Sequence, residues 1–387
     1  MNTVSDMNVL YEAFRKSMKG SAWKEEPQRF EMDFLSELTA LQEELEARTY
    51  KTLPGSEFTL NERGHIRHIH GGRMRDRVVR HALCDDVITP ALNPYLIHNN
   101  GASQDGKGVD FTRREFEKDL HNFWLEHRSN EGYVAFVDFS KYYDNIRHDK
   151  AVELITPYLD EFSSWLFKNI LDSFTVDVSY MTDEEFANCL DTKFNSIDYY
   201  NNIPREARTG EKLMPKGVDI GDQTSQNIGI YFPTRIDNYV TIVRGFRRYG
   251  RYMDDMYLIH HDKDYILETL EGIKREASEL GLYINDKKTH IAKLSDTYTF
   301  LQRKYSLTDK GRVIRRINPK GMARVRRKWK SYKRLLSRGL ITYPAIEQAC
   351  RSWMGANVKV MSKRQIANTK ELYKSLYGKE LVWKKQQ

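Results

Sequence analysis

Cysteine is scarce. Cys84, Cys189 and Cys350 are too few and too scattered in 387 residues for a disulfide framework or a spaced cysteine zinc site, so a reducing, cytoplasmic setting is expected. No apolar run approaches the ~20 residues that span a bilayer, so no membrane partner is expected. The stretch Met1 to Asp6 has neither the basic start nor the apolar core of a secretion signal. No internal repeat is evident. The glycine-rich stretch from Asn99 to Gly108 lacks the spacing of a P-loop, and a plain connection is its simplest reading.

Charge is plentiful and unevenly spread. The net charge is +8, yet Leu301 to Gln387 hold 24 Lys and Arg against 4 Asp and Glu, leaving 38 against 50 in the first 300 residues. A basic C-terminal lobe on an acidic body suits a polyanion held by one part while carboxylates in the other do chemistry.

The pattern divides the chain into three parts. Residues 1–57 read as a helical extension, with Leu10, Phe14 and Met18 and then Phe34, Leu38, Leu41 and Leu45 at helical spacing. Residues 58–305 form the central part. They begin extended from Phe58 to His70, then start a helix near Val78 that Pro90 should end. Within them, 175–212 reads as a polar, irregular insertion without identifiable chemistry. Residues 306–387 read as a basic helical lobe, in which Val325, Trp329, Tyr332 and Leu336 share one helical face ringed by cations.

Two stretches carry candidate chemistry. Tyr252-Met253-Asp254-Asp255 lies between two strand-like runs and predicts a tight hairpin. Adjacent carboxylates at its tip repel each other unless a divalent cation sits there. Gly132 to Phe139 reads as a buried strand with Asp138 at its end. Three carboxylates on neighbouring strands meet the needs of two-metal phosphoryl transfer, in which one Mg²⁺ activates a 3′-hydroxyl and the other holds the triphosphate and the leaving pyrophosphate.

The residues Asp138-Phe139-Ser140-Lys141-Tyr142-Tyr143-Asp144-Asn145-Ile146 and Tyr252-Met253-Asp254-Asp255 resemble motifs A and C of reverse transcriptases. Lys216 to Gln226 is similar to motif B, Leu282 to Thr289 to motif D, and Phe300 to Arg303 to the start of motif E. Upstream, Ile66 to Ile69 and Asp76 to Val79 resemble the fingers motifs of bacterial retroelement enzymes. The order is preserved from about residue 60 to 310. In motif B, Ile220-Gly221 followed by Ser225-Gln226 resembles diversity-generating retroelement enzymes and related unassigned or defence-associated lineages, where many reverse transcriptases have Gln-Gly followed by Ser-Pro.

The resemblance implies an α+β right-hand polymerase, with fingers, a split β-α-β antiparallel palm and a basic helical thumb. It implies Asp138 and Asp254 as principal metal ligands, with Asp255 and the Phe139 carbonyl in support. The ions would be two Mg²⁺, with Mn²⁺ as a substitute, and the substrates dNTPs. Tyr143 falls where the family has an aromatic gate against a 2′-hydroxyl. Arg67 falls where the triphosphate is contacted; Arg73 and Arg77 lie in a basic run that could equally be a solvated face. Ile220, Gly221 and Gln226 would line the nucleotide pocket, and Lys288 would neutralise or protonate the pyrophosphate. The implied partners are a dedicated structured RNA template and an RNA–DNA duplex, with an accessory protein or a second copy as further candidates. A defence-associated enzyme making protein-primed or untemplated DNA, an RNA-dependent RNA polymerase and a non-catalytic RNA-binding protein are the alternatives.

Overall fold

The computed structural model describes residues 3–62 and 64–383. Helices and antiparallel sheets alternate along it, an α+β chain. Residues group into two compact units: Met1–Thr112, Ala135–Leu258 and Asp262–His290 in the first, and Arg113–Val134, Ile259–His261 and Ile291–Gln387 in the second.

In the first unit, Asp6 caps the helix Met7–Met18 by accepting from the amides of Asn8 and Val9. That helix buries Leu10, Phe14 and Met18, and Phe34–Glu46 buries Leu38, Leu41 and Leu45. Both pack on the helix Met74–Leu83. This helix starts four residues before the expected Val78, and Pro90 does not end its path. The backbone widens into a π-helical stretch over Cys84–Ile88 and continues as Thr89–Leu92. Pro90 thereby falls in a new first turn, where its missing N–H costs little.

Two strands, β1 (Ser56–Glu62) and β2 (His65–Gly71), form an antiparallel hairpin with Leu60 opposite Arg67 and Glu57 opposite His70. Strand β3 (Tyr133–Val137) is followed directly by Asp138. The stretch expected to be irregular is folded. Its ends pair as β4 (Val176–Asp177) and β5 (Leu213–Met214), and Val178, Cys189, Phe194, Tyr199 and Met214 close a small core of their own. These apolar residues lie far apart in sequence with no regular period, so no local pattern reports them. Strands β6 (Tyr249–Tyr252) and β7 (Asp255–His260) pair antiparallel, and β7 lies between β6 and β3.

The second unit holds an antiparallel sheet of Tyr298–Phe300, Arg303–Leu307 and Val313–Ile317, so position 305/306 lies inside a strand. Three helices follow, Pro319–Ser337, Tyr343–Asn357 and Lys363–Tyr377. Asn318 caps the first, with Pro319 pre-set for its first turn. Val325 and Trp329 are buried in a core with Ile346, Cys350, Met354 and Tyr373, and Tyr332 and Leu336 pack at its edge. Arg324, Arg326, Arg327, Lys328, Lys330, Lys333 and Arg334 stay exposed. No described helix is long and apolar enough to cross a membrane.

Candidate active site

The site starts from the end of β3. Ser140 N donates to the Tyr283 carbonyl at 2.7 Å and Asn285 N donates to the Asp138 carbonyl at 2.8 Å. This short antiparallel bridge pairs Phe139 with Ile284 through flanking groups, so the Phe139 carbonyl takes no part in it. The segment after Ile284 also wraps the Asp138 carboxylate. Asn285 Nδ2 donates to it at 3.2 Å, and Lys288 Nζ stands 3.1 Å from Oδ1 and 2.9 Å from Oδ2.

The β6–β7 register sets Tyr252 opposite Asp255, which leaves Met253 and Asp254 as a two-residue turn. Met253 has φ +55°, the left-handed conformation that such turns demand and that a side chain makes costly. Arg251, fully buried, holds the turn by donating from Nη1 to the Met253 carbonyl at 3.1 Å. Behind it, Asn99 and Gly101 pair along Arg251 through main-chain bonds of 3.1 and 3.0 Å. The glycine-rich stretch is thus a support for the hairpin. A Cβ on Gly101 would stand 2.0 Å from Thr112 Oγ1, so only glycine fits that approach.

The three carboxylates feel one another. Burial, and then the charge of Asp138, pushes the Asp254 carboxyl above its ordinary range. Burial followed by Asp254 and Asp138 raises Asp255 to about 7. For Lys288, burial opposes the charged form, but the hydrogen bond and charge of Asp138, with Asp254 and Asp255 behind, hold its pKa above the usual lysine value. One exposed ammonium faces three carboxylates. That donor set fits a hard divalent cation, whose charge would let all three ionise together.

Tyr143 begins a short 3₁₀ turn, Tyr143–Asn145. Its hydroxyl lies 3.8 Å from Met253 Sδ, and a Cβ on Gly229 would come within 2.9 Å of it. Burial and then the charge of Asp254 raise its pKa. Tyr142, by contrast, is a core residue whose hydroxyl donates to the Gly229 carbonyl at 2.8 Å. Arg67, on β2, is near enough for its charge to act on both Asp254 and Tyr143.

Arg73 and Arg77 are engaged elsewhere. Arg73 Nε donates to the Pro54 carbonyl at 3.0 Å, and Arg77 binds Ser21 Oγ at 3.2 Å and the Ser17 carbonyl. Both therefore secure the N-terminal helices and their exit. The cation of that helix that ion-pairs with motif B is Arg80, 4% exposed, on Asp222. Asp222 also caps the helix Gln223–Tyr231, accepting from Thr224 N at 2.9 Å. Ile220 and Gly221 (φ +96°) turn just before it and line a cleft with His70 and Arg77. Gln226 Oε1 accepts from Ser103 Oγ at 3.4 Å. Arg80, Asp222, Arg251, its ion-pair partner Asp237, and Asn285 escaped sequence reasoning; the helical spacing of Arg73, Arg77 and Arg80 was the one signal available for any of them.

A strand-end carboxylate, a hairpin-tip carboxylate pair and a lysine form a centre suited to metal-assisted phosphoryl transfer. The chain belongs to the reverse transcriptase (RNA-dependent DNA polymerase) family, whose model matches residues 85–305, more than half of its length. Membership supports RNA-directed DNA polymerase activity, an RNA template as partner and use of divalent metals. The match begins at Asp85, after the β1–β2 hairpin that carries Arg67. No individual curated protein matches the chain.

Proposed function

We propose that the chain is the reverse transcriptase of a bacterial or phage retroelement, copying a dedicated structured RNA into DNA. The observation that carries this reading is the convergence of Asp138 on Asp254 and Asp255, with the Lys288 ammonium 2.9 Å from Asp138. Two Mg²⁺ ions, or Mn²⁺ in their place, would supply a lowered pKa at the attacking 3′-hydroxyl and charge neutralisation at the pyrophosphate. Asp138 and Asp254 are their main ligands in this reading, with Asp255 and the Phe139 carbonyl beside them.

The other residues bind, orient and exclude. Arg67 offers a guanidinium fork to the triphosphate. Tyr143, beside Asp254, closes the sugar subsite against a 2′-hydroxyl. Lys288 neutralises or protonates the leaving pyrophosphate. Ile220 brings no hydrogen-bonding group to the nucleotide pocket, which lowers fidelity. The exposed arginines and lysines of Pro319–Ser337 suit the backbone of an RNA–DNA duplex.

The test is to purify the protein with its co-expressed RNA, add labelled dNTPs and Mg²⁺, and sequence the product. A long DNase-sensitive copy of that RNA with clustered errors supports the reading. A repetitive, untemplated or protein-linked DNA would favour the defence-associated alternative, and an unchanged error spectrum in Ile220→Gln would remove the fidelity claim.

A further inference from the structure

Away from the carboxylates, the β1–β2 hairpin gathers Glu57, His68 and His70. Their ligand atoms all lie within 4.8 Å of one another. The register explains why. Side chains two apart on a strand share a face, so His68 and His70 project together from β2. Glu57 is the direct antiparallel partner of His70, and directly opposed residues face the same side. The three donors are thus aimed at one point by backbone geometry.

Their chemistry is that of a transition-metal site. His68 Nε2 is buried without a hydrogen-bond partner and stands 3.7 Å from Glu57 Oε2. His70 Nε2 stands 3.7 Å from Glu57 Oε1. On its other nitrogen, His70 Nδ1 lies 2.8 Å from Asp219 Oδ1, the carboxylate–histidine pairing that fixes a tautomer with Nε2 turned to a metal. Tyr200 stacks on His68 with ring centres 3.4 Å apart, and its hydroxyl donates to His70 Nε2 at 3.0 Å, a bond that a metal on Nε2 would replace while leaving that oxygen beside the ion. Neighbouring ligands of a tetrahedral zinc stand about 3.3–3.4 Å apart, so small side-chain rotations close the set. Arg208, over the Tyr199 and Tyr200 rings, brings one positive charge to this corner, which Glu57 and Asp219 outweigh.

We propose that Glu57, His68 and His70 bind one Zn²⁺, with Asp219 orienting His70 and Tyr200 or water completing the tetrahedron. Two imidazoles and one carboxylate suit zinc better than the hard Mg²⁺ of the polymerase centre. The ion would fasten β2, and with it Arg67, to the loop of Asp219 and Ile220. It is a structural site: the zinc takes no part in the proposed polymerase chemistry, though it would steady Arg67 and Ile220, which the proposed function uses.

The test uses the full-length, tag-free protein in excess Mg²⁺, with zinc measured by mass spectrometry and melting followed during Zn²⁺ titration. The expected result is about one zinc per chain and a raised melting temperature, with zinc retained in Asp254→Ala/Asp255→Ala. His68→Ala and the isosteric Glu57→Gln should lose it, and Asp219→Asn should weaken zinc binding about 10–100-fold. Glu57→Gln preserves the shape of the hairpin, so its loss of zinc in a normally folded chain separates ligation from folding. A protein that takes up no zinc and shows no melting shift overturns the site. So does a His68→Ala variant that binds zinc like the wild type.

Discussion

Arg251 and Asp237 form an ion pair with no exposed side-chain surface on either partner, and the same guanidinium bonds the carbonyl of Met253. Asp237 accepts from Arg251 at 2.9 and 2.7 Å and from the Tyr249 hydroxyl at 2.6 Å. The turn that presents Asp254 is thereby tied to a buried charge pair, not just to its own strand bonds. Removing one partner of such a pair costs about 3–5 kcal/mol, because the other charge is left buried alone. Arg251→Met should therefore show a large drop in melting temperature. Arg251→Lys keeps the charge but loses the fork, and should fall between. Equal melting of all three would refute the role.

Tyr143 and Gly229 should behave as a coupled pair. If Tyr143 closes the sugar subsite, Tyr143→Ala should admit ribonucleotides, lowering dNTP-over-rNTP selectivity at least about 10-fold through relief of a steric clash. Gly229→Ala places a methyl 2.9 Å from the Tyr143 hydroxyl and should displace the ring, raising KM for dNTPs while Tyr142 keeps the helix docked. Single-nucleotide incorporation with dNTP and rNTP reads both. Unchanged selectivity in Tyr143→Ala would contradict the gate.

Lys288 should separate chemistry from stability. Its side chain is 64% exposed, so its ion pair with Asp138 stabilises the fold little. Lys288→Ala should melt within about 0.5 kcal/mol of the wild type yet slow incorporation by about 10²–10⁴, the range expected for a proton donor. Lys288→Arg should restore charge without an easily lost proton, and recover part of the rate.

Lys216 supplies a pH signature. It is fully buried, and its ammonium donates to the Leu190 and Thr192 carbonyls at 2.9 and 2.8 Å, pinning the 175–212 segment. Burial first, then Arg147, depresses its pKa to about 8, from 10.5 for a free lysine. Between those values the unfolded chain binds the extra proton, so this group's contribution to stability rises with pH from 8 towards 10. Denaturant melts of the wild type should gain stability over that window relative to Lys216→Met. A parallel pH dependence in both would contradict the assignment.

Much of the architecture was legible because its signals are local. The strand before Asp138 shows as a short apolar run, the hairpin as two strand-like runs around a polar dipeptide, and Val325, Trp329, Tyr332 and Leu336 as a period of about 3.6. The carboxylates were legible because two short runs carry all three. What stayed hidden depends on contacts between distant residues. Arg73 and Arg77 read as cations facing solvent or phosphate; Arg73 stays exposed while bonding the Pro54 carbonyl, but packing of the N-terminal helices draws Arg77 to Ser17 and Ser21. Pro90 read as a stop because the π turn preceding it leaves no sequence mark. Asp222 was read only as part of motif B and Asp237 not at all, because their partners Arg80 and Arg251 reach them only through the fold. The cluster of His68, His70 and Glu57 was not read at all, because Glu57 joins the histidines only through the hairpin register.

The most direct measurement is DNA synthesis from a defined RNA template with dNTPs and Mg²⁺, comparing wild type with Asp254→Asn. Because Asp254 is buried among like charges, removing its charge should leave melting unchanged or raise it. Incorporation should nonetheless fall by at least about 10³-fold, since a metal held by the carboxylate cluster would lose one of its proposed ligands. A folded Asp254→Asn protein that copies RNA at the wild-type rate would contradict the assignment of this carboxylate cluster as the polymerase centre.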